Sequence, residues 1–120
     1  MNELAAAAAA GELSEEASVI HVVAIITAKP GMREQILEAA RANLPAVLAE
    51  DGCIEYGPAV DADGLGFQTK FGEDTFVVME KWTSVEALQA HAVAPHMKAY
   101  AAKVKDMIAS RTIHVLTPTV

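Results

Sequence analysis

A carboxylate, an indole and an imidazole follow one another in the stretch Thr75 to Tyr100, TFVVMEKWTSVEALQAHAVAPHMKAY. Alternation along a strand puts Phe76, Val78, Glu80 and Trp82 on one face and Val77, Met79 and Lys81 on the other. One acidic group thus stands on an otherwise apolar, aromatic face. A carboxyl group in such surroundings has a raised pKa unless it is partnered. That is what a general base working near neutrality needs. The structural alternative is a buried Glu80 bonded to His91, to a backbone group or to a partner subunit. Thr83 and Glu86 have the spacing of a capping box, which predicts where the next helix starts. Val85, Leu88, His91 and Ala92 then recur near helical spacing. His91 is the candidate catalytic histidine; the alternative is a satisfied structural group.

Around this pair stand the candidate binding residues. Trp82 is either a wall for a substrate or part of a core or interface. Tyr56 and Tyr100 are placed to position a phenolic substrate, or are ordinary core aromatics. His96, just past Pro95, shares the site or is solvated. His91 and His96 are five apart, not the three or four that puts two ligands on one helix face, so no metal site is expected. His21 and His114 lie on the first and last strands, expected to occupy different sheet positions. Cys53 has no basic neighbour in sequence to activate it. No glycine-rich nucleotide fingerprint or P-loop is present, so no nucleotide or flavin site is visible.

The elements that must position these residues read as follows. Val19 to Ala28 is a first strand with both faces largely apolar. Lys29-Pro30-Gly31 is a turn. Met32 to Ala49 is a helix whose apolar stripe is Ile36, Leu37, Ala40, Leu44, Val47 and Leu48, with Pro45 inside it. Gly52 ends it. Cys53 to Val60 is a second strand with Ile54, Tyr56, Pro58 and Val60 on one face. Pro58 cannot donate to a ladder, which predicts an edge or a bulge there. Phe67 to Phe71 is expected to extend a hairpin. After the second helix, Pro95 opens a further one over His96 to Ala109, and Arg111 to Thr117 is the last strand.

The order β-α-β-β-α-β predicts an α+β, ferredoxin-like split β-α-β fold with one antiparallel sheet. Helices cover one sheet face. The chain is too short to cover the other, so dimerisation through that open face is expected. Residues 1–17 read as a low-complexity tail, with Ala5 to Ala10 as its core, ahead of a domain over 18–120.

The chain has 120 residues, a size that suits one domain. A formal charge of −7 argues against nucleic acid, whose phosphates need a basic surface, and equally against an anionic membrane. No apolar run is long enough to span a bilayer. The start carries Glu3 and lacks a basic leader region, so no signal peptide is expected. One cysteine cannot form an internal disulfide, which points to the reducing cytoplasm.

Glu80, Trp82, Ser84, Leu88 and His91, as E-x-W-x-S followed by L-x-x-H, resemble the antibiotic biosynthesis monooxygenase family, which includes quinol monooxygenases. Lys29-Pro30-Gly31 and Gly52-Cys53-Ile54-Glu55-Tyr56 match the same pattern. The resemblance runs from Val19 to Pro118. It implies a dimeric α+β barrel and a cofactor-independent reaction. In that chemistry a quinol or polyketide-like phenol is deprotonated and itself reduces O2, with His91 or Glu80 as base. Haem-degrading members use a histidine ligand where this chain has Tyr100 and Ala101, a departure that argues against haem. Two functions follow as expectations. One is a monooxygenase acting on a small aromatic with O2. The other is a non-catalytic dimeric module of the same fold that binds a small ligand or supports another protein. A cavity touching Glu80 and His91 favours the first; an interior filled by side chains favours the second.

Overall fold

The structure is a computed structural model that describes residues 18–119; the expected tail, 1–17, lies outside them. The elements are β1 (Ile20–Ala28), α1 (Arg33–Leu48), β2 (Cys53–Ala59), β3 (Thr75–Trp82), α2 (Val85–Ala92), α3 (Pro95–Val104) and β4 (Ile108–Leu116). A short 3-10 turn, Lys105–Met107, joins α3 to β4. The sheet order is β2-β3-β1-β4, antiparallel throughout. This is the α+β, ferredoxin-like arrangement the element order predicts.

Strand alternation in β1 sorts the layers. Ile20, Val22, Ala24, Ile26 and Ala28 are buried, while the residues between them are half-buried. Opposite them in register stand Trp82, Glu80, Val78 and Phe76 of β3. These side chains face the helices. The larger core cluster joins Ala24, Ile26, Phe76 and Val78 to Ile36 and Leu37 of α1 and Val104 of α3. A second cluster, Ile20, Val22, Val47 and Trp82, lies nearer the α2 end. On the other sheet face, His21, Val23, Ile25, Val77, Met79 and Leu116 are left by the helices. Met79 is 53% exposed there.

Several local expectations are corrected. The cap of α2 is Ser84, whose hydroxyl accepts from Ala87 N at 3.1 Å, not Thr83 with Glu86. The helix starts one residue later, so its inward face is Ser84, Ala87, Leu88 and His91; Val85 and Ala92 point outward. In α1 Leu48 is exposed and Ala39 is buried. Pro45 lies within the helix on an exposed position. The third helix ends at Val104 rather than Ala109, and β4 begins at Ile108. Met107 O accepts from Lys29 N at 2.8 Å, which ties that turn to the end of β1 and lets the strand start early.

β2 is an edge strand, as Pro58 requires, but its irregularity lies between Cys53 and Glu55. The bulge turns Cys53 toward Trp82 and leaves Ile54 exposed, so Ile54 does not share the Tyr56 face. Phe67 to Phe71 forms no strand. That connection is held by Asp61, whose carboxylate accepts from Phe71 N and Gly72 N at 3.0 and 2.8 Å. Finally, β4 lies beside β1, not apart from it. Val23 stands opposite His114 and Leu116 opposite His21, so both histidines lie on the open sheet face.

Candidate functional site

The site is built where three chain segments meet over one end of β3. Alternation carries Glu80 and Trp82 to the helix side of that strand, and Tyr56 stands opposite Glu80 on β2. The Ser84 cap fixes the phase of α2, which turns His91 inward onto the same spot. Its ring lies 4.6 Å from the Trp82 ring and 5.4 Å from that of Tyr56, centroid to centroid. Tyr56 and Trp82 meet edge to face at 6.4 Å.

The remaining partner is Glu50, which sequence reasoning missed. It sits in the turn after α1, and that turn is pressed onto the start of α2. Gly52 has φ +82°, and a Cβ there would stand 2.6 Å from both Ala87 Cβ and Thr83 Oγ1. Only glycine combines that backbone with that closeness. Gly52 O also accepts from Thr83 N at 2.8 Å. The clamp brings the Glu50 carboxylate under α2, where Oε2 lies 2.8 Å from His91 Nδ1.

The same oxygen lies 2.8 Å from His96 Nε2. A spacing of five would separate two side chains on one helix, but these two are not on one helix. α2 ends at Ala92, and Ala94-Pro95 swings the chain into α3. The spacing argument against shared ligation therefore did not apply. Among the described residues no group of three or more His, Cys, Asp or Glu is arranged to hold a metal ion.

Each carboxylate has its own partner. Glu80 Oε1 accepts from Trp82 Nε1 at 2.9 Å, while Glu50 takes the two histidines. Burial raises the pKa of Glu80; the Trp82 bond and His91 pull it down, and Glu50 raises it further. The Tyr56 phenol is pushed well above its usual range, first by burial and then by Glu80 and its other neighbours. Burial also raises Tyr100. Cys53 is raised by burial and by Glu50 and Glu80, which disfavours the thiolate.

Of the residues singled out from sequence, Glu80, Trp82, Tyr56, His91 and His96 come together. Tyr100 packs with Tyr56 against the larger core cluster and is not among the rings around His91. A hollow of about 390 Å³ is lined by Glu80, His21, Val23, Glu55, Met79 and Leu116 among others. It opens at the uncovered sheet face and does not reach His91. The chain signal that pointed to Glu50 was slight: an acidic residue two positions before the glycine that ends a helix.

Known proteins resemble this chain over most of its length. The antibiotic biosynthesis monooxygenase family model matches residues 19–103. The "Probable quinol monooxygenase YgiN" of Escherichia coli K12 is 39% identical over 103 residues, covering 83% of this chain and 98% of that protein. The structure of Rv0793 from Mycobacterium tuberculosis is similar with a TM-score of 0.71 and 28% identity, over 86% of this chain and 97% of that one. A conserved protein from Methanosarcina mazei shares the fold at a TM-score of 0.75 and 18% identity, over 89% and 99%. Family and relatives together support a monooxygenase-like function. No helix among the described residues is long and apolar enough to cross a membrane. With its strand-borne Glu80 and Trp82, its helix-borne His91 and a matched span from residue 19 to 103, the chain belongs to the antibiotic biosynthesis monooxygenase family.

Proposed function

We propose that the protein is a cofactor-independent monooxygenase that oxidises a small electron-rich aromatic, a quinol or polyketide-like phenol, with O2. The observation that carries this reading is His91. Its ring is buried against two aromatic rings, and its Nδ1 is engaged by Glu50. Its other nitrogen has no hydrogen-bond partner among the described residues. A phenol O–H placed against Nε2 would lose its proton to it, which makes the ring electron-rich enough to reduce O2. The quinol gives up four electrons, two in becoming a quinone and two in exchanging a ring C–H for C–OH. O2 accepts all four. One oxygen atom stays on the product and the other leaves as water.

In this reading Trp82 and Tyr56 wall the ring and exclude water. Glu80, tied to Trp82, sets the indole and is the second candidate base. The protein works as a homodimer in the cytoplasm, a second copy covering the apolar face of Val23, Ile25, Val77 and Met79. Two sheets packed that way form the dimeric α+β barrel of the family resemblance.

A second reading, a non-catalytic dimeric module, is favoured by one observation: the hollow that borders Glu80 lies on the open sheet face, across the strand from its side chain, and does not reach His91. Oxygen consumption on a panel of hydroquinones, free of metal and flavin, separates the two. Turnover that disappears in His91→Ala supports the enzyme. No turnover across the panel, with a hydroquinone still bound in calorimetry, supports the module.

A further inference from the structure

Glu50 offers a single oxygen to two ring nitrogens, His91 Nδ1 and His96 Nε2, each at 2.8 Å. An ionised carboxylate has no hydrogen to give, so both rings must donate. That assigns the protons: His91 carries its hydrogen on Nδ1 and His96 on Nε2. In a neutral imidazole the other nitrogen is then an acceptor. For His91 it is Nε2.

We infer that Glu50 is a positioning residue: it holds His91 in the tautomer whose lone pair lies on Nε2, and it faces the ring with an anion when Nε2 takes the substrate proton. His96 is the second lock on the same oxygen rather than a substrate contact. The inference rests on the reading of His91 as base given above. The step is a proton transfer. The substrate O–H bond breaks, its electron pair stays on oxygen as the phenolate, and the proton bonds to Nε2. The ring becomes an imidazolium, and its Nδ1–H bond to the Glu50 carboxylate, now between opposite charges, becomes stronger.

The placement suits that role. Glu50 is fixed by backbone bonds on both sides, from its own N–H to Val47 O and from Cys53 N to its carbonyl. The Gly52 clamp fixes the same turn. The His91 and Glu50 side chains are 7% and 12% exposed, whereas His96 is 28% exposed. Water screens a buried pair weakly, and His96, the more exposed of the two rings, engages the same carboxylate oxygen. Glu80, the other carboxylate at the site, is bonded to Trp82 and does not compete for the His91 ring.

The test joins nitrogen-15 NMR of the histidine rings, recorded with the rings neutral, to turnover of the full chain. Wild-type His91 is expected in the Nδ1–H form. Glu50→Gln keeps a carbonyl acceptor and loses the charge, so the Nδ1–H signature stays. Its kcat should fall about 10–100-fold, taking the partners behind metal-bound histidines as the guide to size, with KM little changed. Glu50→Ala removes acceptor and charge, so the tautomers mix and kcat falls further. A wild-type His91 with its hydrogen on Nε2 overturns the proposal, as does Glu50→Ala with the signature and kcat of wild type. If Glu50→Ala does not fold, the wild-type spectrum and Glu50→Gln decide. An Nδ1–H ring in a protein that turns over no quinol supports the positioning by Glu50 and removes the oxygenase reading. Turnover with the opposite tautomer does the reverse.

Discussion

The indole N–H of Trp82 donates to Oε1 of Glu80 across 2.9 Å, two positions along the same strand face. The bond is local in sequence, yet it acts in the middle of the sheet-helix layer, where Trp82 is fully buried. It supplies one of the partners a carboxylate needs in such a place. It also means that Glu80 and Trp82 are one unit: moving either releases the other.

Glu80→Gln keeps an acceptor for the indole, whereas Glu80→Leu leaves a buried N–H without one. The Leu variant should therefore lose about 1–3 kcal/mol of stability, and the Gln variant distinctly less. Urea titrations of the two variants against wild type check this. Equal losses would show that the bond contributes nothing.

Stability should also depend on pH through Glu80. Burial raises its pKa above the ordinary value of 4.5. The folded protein thus holds this proton to higher pH than the unfolded chain. Between the two values the native state binds more protons, so stability falls as pH rises through that window. Urea midpoints from about pH 4 to 7 should decline less in Glu80→Gln than in wild type. Parallel profiles would assign the effect to other groups.

His91→Ala and His91→Gln should each lower kcat by roughly 10²–10⁴-fold, the range for a positioned base. Gln can bond Glu50 but cannot take a proton near neutrality. Full activity in His91→Gln, read by oxygen uptake, would leave His91 as a link between α2 and the turn after α1, and Glu80 as the base to test next.

Gly52→Ala should be more harmful than its size suggests. The new Cβ meets Ala87 Cβ and Thr83 Oγ1 at 2.6 Å, on a backbone with φ +82°. Overpacking of this kind costs about 1–3 kcal/mol, and the positive φ adds to it. A thermal melt measures the loss. The shift of the turn should also move Glu50 off His91, so the Nδ1–H signature should weaken in this variant.

Sedimentation equilibrium should find a dimer at micromolar concentration, with an interface above about 1,000 Å² in total. Met79→Lys, on the uncovered face, should weaken it without unfolding the protomer. A stable wild-type monomer would remove the barrel from the proposed function.

Much of the site was legible in the chain. Period-two alternation sets Glu80 and Trp82 on one face of β3 whatever the rest of the fold does, because it belongs to the strand itself. The approach of His91 to that face follows from a helix that begins directly after the strand, even though the cap proved to be Ser84. The element order is enough for the α+β class, since few topologies connect such elements with short, right-handed links.

What the chain alone did not decide were contacts between segments distant in sequence. Glu50 meets His91 and His96 across more than forty positions. No periodicity records that meeting. It depends on Gly52 packing against Thr83 and Ala87, on the break at Ala94-Pro95, and on the sheet pairing that brings β2 beside β3. The pairing of β4 with β1, and with it the placement of His114, is of the same kind. Local sequence sets which way a side chain points from its own element. Which side chains it then meets is set by how the elements pack, and packing is decided by the buried surface of all of them together.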